Sequence, residues 1–480
     1  MNPNLVLGIL ISYFILLLII SHFTSKGATN LTFFTANRQS PWFLVAFGMI
    51  GASLSGVTFI SIPGEVGASK FAYFQLALGY LLGYGIIATV LLPLYYKLNL
   101  VSIYTYLEQR FGFWSYKIGA VFFLLSKIIG ASFRLFLAAS VLQIALFNSW
   151  NVPFWATVTI TIILIWIYTF RGGIKTIVWT DTLQTTFMLS AVIVSIFLIQ
   201  DELDMTFGGM VSAIENSSYS KMFFWDWKPG SNFFKQFFSG AFIAIAMTGL
   251  DQDMMQKNLT CRSLRDAQKN MFSFSIVLVL ANLMFLSLGA LLYIYSNTNG
   301  IAIPENTDDL YPLLAMDHFP VIVGILFLLG IIAAAYSSAD SALTGLTTSF
   351  CVDLLSLGSK ADDVQKKTRM MVHVGFSIVL LLVILVFDAF KDKSVIHHVF
   401  TAAGYTYGPL LGLYTFGLFT RFKVYDKWVP LICILSPILS FLLELYSDDW
   451  LGFRFGFFIL IINGLITFLG LMMISRRTGD

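Results

Sequence analysis

A run of oxygen-bearing side chains interrupts an apolar stretch at 331–349, IIAAAYSSADSALTGLTTS, which carries four serines, three threonines and one aspartate. Helical spacing places Ser337, Asp340, Ser341, Thr344 and Thr348 on one face. The alanines and Gly345 around them permit close helix approach. An ionisable group at membrane depth marks a functional site. A surface of hydroxyls with a single carboxylate suits a hard monovalent cation, which prefers oxygen ligands. The competing reading is plain helix packing, with the hydroxyls bonded back to their own backbone.

The elements that must position this stripe are transmembrane helices. Of the 480 residues, 57% are hydrophobic and 11% charged, against about 25% charged in a typical soluble domain, and mean hydropathy is +0.80. A polytopic membrane protein follows, with no loop long enough to fold as a soluble domain. Windows that could cross about 30 Å of hydrocarbon fall at 4–22, 42–66, 73–97, 117–147, 153–170, 176–200, 233–256, 272–296, 321–347, 370–390, 396–419, 428–447 and 452–474. That is about thirteen helices, an odd number, which puts the termini on opposite sides. The first window lacks a basic leader and a cleavage motif, and reads as a retained helix. Alternate loops hold twenty of the lysines and arginines, Lys257 among them, against seven in the opposite set. Basic loops face inward, so the N-terminus is expected outside and the C-terminus in the cytoplasm. The segment 103–111, IYTYLEQRF, reads as an amphipathic piece at the inner interface. Cys261, Cys351 and Cys433 form neither a disulfide framework nor a metal-ligand spacing.

Two windows look broken. Within 42–66 the pattern is interrupted by Gly48, Gly51, Ser53, Ser55, Gly56, Pro63, Gly64 and Glu65; within 233–256, Met247-Thr248-Gly249 precedes Asp251-Gln252-Asp253. They are the second and seventh windows. Broken helices at matching positions of two halves point to a transporter built on inverted repeats. The expected organisation is an N-terminal helix and loop over 1–40, five-helix repeats over 41–200 and 201–420, and two further helices over 421–480. Lys127 and Arg134, seven residues apart in one window, share a face. A guanidinium binds a carboxylate through two parallel hydrogen bonds, so Arg134 is the candidate anchor for an anionic solute. An internal partner, Glu65 or Asp340, is the alternative.

Several stretches resemble the sodium:solute symporter family across almost the whole chain. They are GASLSG at 51–56 with IPGE at 62–65, YTYLEQRFG at 104–112, GGIKTIVWTDTLQ at 172–184, LDQDMMQ at 250–256 and AAYSS at 334–338. The resemblance implies an all-α membrane protein with a LeuT-type five-plus-five inverted repeat, its first and sixth core helices broken. It implies a principal sodium site made by carbonyls of Gly51, Leu54 and Ala334 and hydroxyls of Ser337 and Ser338. Some members carry a second sodium site, matched here by Asp181, Ser337 and Ser341, with Asp340 standing where those members have a serine or threonine. Two carboxylates there would hold sodium more tightly or share a proton. Asp181 could instead bond locally to Thr180 or Thr182. Candidate solute-binding residues near the breaks are Ser53, Ser55, Thr58, Phe71, Gln75, Thr248, Asp251 and Gln252, with Arg134; helix capping is the bland alternative for Asp251 and Gln252. The expected function is sodium-coupled import of a small organic solute, an organic anion (sialic acid or a monocarboxylate) or a sugar, by alternating access. A proton-coupled transporter of the same fold and a transporter-like membrane sensor are the alternatives. The chain is expected to act as a carrier in the cell membrane and not as an enzyme. Its partners would be sodium, solute and lipid, without nucleic acid or an obligate protein partner.

Overall fold

The structure is a computed structural model that describes residues 3–26, 30–169, 173–357, 360–390 and 395–476. Gly172, the first residue of one family-like stretch, lies outside them. The principal helices are α1 (Pro3–Thr24), α2 (Trp42–Ser53), α3 (Gly56–Ser69), α4 (Tyr73–Ile86), α5 (Phe113–Ala145), α6 (Phe154–Thr169), α7 (Ile174–Glu202), α8 (Phe233–Ala244), α9 (Gln252–Asn258), α10 (Leu264–Thr298), α11 (Val321–Ser349), α12 (Asp362–Phe390), α13 (Val395–Phe419), α14 (Val429–Leu451) and α15 (Ile459–Met473). Each apolar window contains a helix. Among the described residues nine helices are long and apolar enough to cross a membrane, or up to eleven if each of two bent pairs is one span.

The bent pairs are the two broken windows. α2 and α3 meet at 53°, and α8, continued by a π-helical turn to Gly249, meets α9 at 73°. Leu54 (φ −81°, ψ 59°) and Ser55 (φ −58°, ψ 173°) leave helical geometry between α2 and α3. At the second break Asp251 is extended and caps α9, its carboxylate accepting from the amides of Asp253 and Met254 at 2.9 and 3.3 Å.

α11 is the centre of the bundle. All of its residues from Gly330 to Ser349 are buried, and it packs on α7, α5 and α2. By contrast α12 and α14 expose residues such as Ile378, Leu382, Ile434 and Ile438, apolar surface suited to lipid. The segment 103–111 contains a short helix, Thr105–Arg110, with Tyr106 and Leu107 buried. Arg110, its last residue, donates to the carbonyls of Gly417, Thr420 and Phe422. Lys423–Val424 pairs antiparallel with Ser475–Arg476, so these basic segments share one end of the molecule. All three cysteines are free and buried; burial pushes the Cys261 thiol, in the loop after α9, up to about 12.

α4 and α8 touch backbone to backbone. A Cβ on Gly79 would lie 2.0 Å from the Phe237 carbonyl oxygen, and one on Gly240 2.0 Å from that of Leu76. Overpacking a fitted interface costs about 1–3 kcal/mol or more, and here the obstacle is backbone that no rotamer change removes. Gly79→Val and Gly240→Val should each lower the detergent-solubilised melting temperature by several degrees or prevent recovery of monodisperse protein; an unchanged melting curve would refute the contact.

Candidate functional site

The break between α2 and α3 frees oxygens. The last carbonyls of a helix have no partner within it, and α2 ends at Ser53, so those of Gly51, Ala52 and Ser53 lie beyond the ladder. Ser338 on α11 faces them. Its hydroxyl donates to Ala334 O at 3.1 Å and reaches Ala52 O at 3.5 Å. Gly51 packs tightly on α7, its amide donating to Thr185 Oγ1 at 3.1 Å. Thus Ala334, Ser338 and the end of α2 gather oxygens in one place, with the Ala52 carbonyl contacting Ser338 where the sequence suggested Gly51 and Leu54. Leu54 lines the adjoining cavity.

Ser337 points elsewhere. It donates to Asp181 Oδ1 on α7 at 2.6 Å, and Asp181 Oδ2 meets the Lys257 ammonium of α9 at 2.7 Å. The local alternative for Asp181 does not hold, because Thr180 and Thr182 bond to backbone carbonyls instead. Asp340 accepts from Tyr168 of α6 at 2.8 Å and from Ser341 at 3.3 Å, so Tyr168 is the partner that sequence reasoning missed. Farther along the stripe Thr348 accepts from Gln256 at 3.2 Å. Backbone bonding describes Ser338 and Thr347; Ser337 and Ser341 turn to carboxylates.

Between the two breaks lies a cavity with about 990 Å³ of empty space, part of it open to solvent. Ser53, Ser55 and Thr58 of the first break and Thr248 and Asp251 of the second line it, with Lys127 and Arg134 of α5. The cavity therefore unites six of the nine expected solute-binding residues, together with Lys127, which shares a helix face with Arg134. Lys127 is held by two carboxylates, Asp253 at 2.5 Å and Asp251 at 3.3 Å, and Asp251 also accepts from Tyr407 of α13. Asp251 is thus both a helix cap and part of the cavity wall. The Nε of Arg134 is buried without a hydrogen-bond partner among the described residues. Tyr73, Tyr80 and Tyr84 of α4 supply an aromatic wall. Their spacing of seven and four puts them on one helical face, a signal legible in the sequence. Tyr73 and Phe400 are shared with a second cavity lined by Glu65, Ser69, Gly230 and Ser231.

Three expected solute-binding residues lie elsewhere. Gln75 is a strut for the loop before α8: its amide donates to Ser231 O at 2.9 Å and Ala72 O at 3.2 Å, and its carbonyl accepts from the Phe224 amide at 3.0 Å. Phe71 is buried, with its amide bonded to Lys221 O. Gln252 clamps the chain before Thr105, accepting from the Ile103 amide at 2.9 Å and donating to Val101 O at 2.8 Å.

The sequence model of the sodium:solute symporter family matches residues 33–423. The chain belongs to this family. Relatives within it include the sodium/sialic acid symporter NanT of Aliivibrio fischeri, 26% identical over 83% of this chain and 80% of that protein, and the sodium/sialic acid symporter SiaT of Proteus mirabilis, 25% identical over 94% and 91%. The human sodium/iodide cotransporter is 23% identical over 81% of this chain and 61% of its own length. A solved Na+-coupled sialic acid symporter, bound to substrate in an outward-open state, superposes with a TM-score of 0.84 over 98% of this chain and 99% of that one, at 22% identity. A nucleobase-cation-symport-1 family transporter superposes at 0.54 with 14% identity, over 92% and 93%. The chain therefore has the LeuT-type fold that the family resemblance implied.

Removing a strut and removing a solute contact have different consequences. Gln252→Ala leaves the Ile103 amide and Val101 carbonyl without their partner, at about 1–3 kcal/mol. It should lower thermal stability while solute affinity in the folded fraction stays within about twofold; a large affinity loss at unchanged stability would return Gln252 to the solute site.

Proposed function

We propose that this protein imports a small organic anion together with sodium, by alternating access across the cell membrane, with its N-terminus outside. The observation that carries the reading is the buried Arg134 Nε, without a partner among the described residues, in a cavity framed by both helix breaks. The other cavity cation, Lys127, already has two carboxylates. An anionic group entering the cavity would complete the guanidinium with parallel charge-assisted hydrogen bonds. The hydroxyls of Ser53, Ser55, Thr58 and Thr248 suit a polyhydroxylated solute, and the tyrosines of α4 suit its apolar face. Sialic acid has this chemistry, as do smaller hydroxylated carboxylates, and two relatives are named for sialic acid transport.

Sodium would bind at the oxygens gathered by Ala334, Ser338 and the end of α2, with Gly51, Leu54 and Ser337 at its margin. Bridging α11 to the broken helix, the ion would fix the break that shapes the solute cavity, which couples the two ligands. The expected repeats at 41–200 and 201–420 fit this scheme, since each would contribute one broken helix to the cavity.

Reconstituted protein offered a radiolabelled panel of sialic acid, monocarboxylates, sugars and amino acids should accumulate an anionic member only with external sodium. Uptake that ignores sodium but collapses without a pH gradient would select the proton-coupled alternative. Losing one partner of a buried charged pair costs about 2–5 kcal/mol, so Arg134→Ala should weaken anion binding by roughly 30-fold to several thousandfold while sodium binding survives. Anion affinity unchanged in Arg134→Ala would remove the anchor.

A further inference from the structure

Lys257 has no role in the cycle just described. It lies next to the last residue of α9, close to the basic loop, where a lysine can ordinarily extend its ammonium to water. Here the side chain turns inward and is 1% exposed. Its ammonium rests 2.7 Å from Asp181 Oδ2, while the other oxygen of that carboxylate accepts from Ser337 at 2.6 Å. Three helices, α9, α7 and α11, thus meet at one buried charge pair. Burying an ammonium is unfavourable unless a carboxylate and good geometry meet it, so this inward turn is a built feature. Asp340, one turn beyond Ser337, is close enough to attract the same ammonium.

The cluster has the composition of a monovalent cation site, carboxylate and hydroxyl oxygens brought together from separate helices. A cation is already in it, and it is covalently attached to the chain. We propose that the Lys257 ammonium is a resident cation that occupies the place a second sodium would need, so that each cycle carries one sodium. Both oxygens of Asp181 are engaged. On the side of α2, Gly48 is pressed so closely that a Cβ there would lie 2.9 Å from Asp181 Cβ. A sodium entering would have to displace the ammonium or lie beside a like charge in a medium that screens poorly. Being tethered, the ammonium cannot be released to the cytoplasm and contributes nothing to the driving force. It holds the inner half of one broken helix to α7 and α11 throughout.

This inference rests on the sodium-coupled reading, and the experiment separates the two. Equilibrium binding of radioactive sodium to the purified protein, with the Hill coefficient for sodium-activated uptake, counts the ions; that coefficient cannot exceed the number of sites. The wild type should bind about one sodium per chain with a Hill coefficient of about 1. Lys257→Met, similar in length and uncharged, should bind about two and raise the coefficient above 1, whereas Lys257→Arg should stay at about one. Two sodium ions on the wild type, or still only one on Lys257→Met, would overturn the inference while leaving sodium symport intact. Absence of sodium binding together with sodium-independent uptake would overturn both. If Lys257→Met cannot be recovered folded, the wild-type count decides alone.

Discussion

A helix that breaks inside lipid strands carbonyl and amide groups where water cannot reach them, and each must find a partner within the protein. This chain breaks two helices at matching places, and much of its core is arranged around the oxygens released. At the second break, Tyr95 donates to Gly249 O and Tyr104 to Leu250 O at 2.8 and 2.9 Å, while Asp251 caps the helix that resumes. At the first, Ser338 of the central helix reaches across to Ala52 O. Among the described residues fewer side chains reach the carbonyls of the first break than of the second, and on the proposed reading a sodium there would supply the missing partner.

The same constraint governs the buried charges. An ammonium in the core is tolerable when a carboxylate meets it, and Lys127 and Lys257 obey that rule with Asp251, Asp253 and Asp181. Arg134 departs from it at its Nε. On the proposed reading the cavity keeps this nitrogen in reserve for a visitor, while Lys127 is already paired with Asp251 and Asp253. Selectivity for an anion would then come from an incomplete internal balance, a property of the site as a whole.

What the sequence made legible was whatever violates the apolar pattern. The oxygen stripe on 331–349, the glycines and serines near Leu54, the aspartates after Gly249 and the cations at 127 and 134 all stand out against lipid-compatible neighbours. The structure groups them as that contrast suggests. What stayed hidden was direction. Gln75 and Gln252 are polar and near the breaks, yet a glutamine that braces a loop reads the same as one that faces a cavity. Lys257 counted as an inner-loop charge because its neighbours along the chain are basic, and nothing in a sequence shows a lysine turning inward. Tyr168 and Tyr407, the partners of Asp340 and Asp251, sit on helices far along the chain that carry threonines or other tyrosines as well, so neither stands out from its neighbours.

The coupling between the first break and the solute cavity is the central claim, and calorimetry reaches it directly. Binding of an anionic solute to the purified protein would be measured in sodium and in choline at equal ionic strength. The account predicts substantially tighter binding in sodium, and reciprocally tighter sodium binding in the presence of solute. Equal solute affinity in the two salts would contradict it.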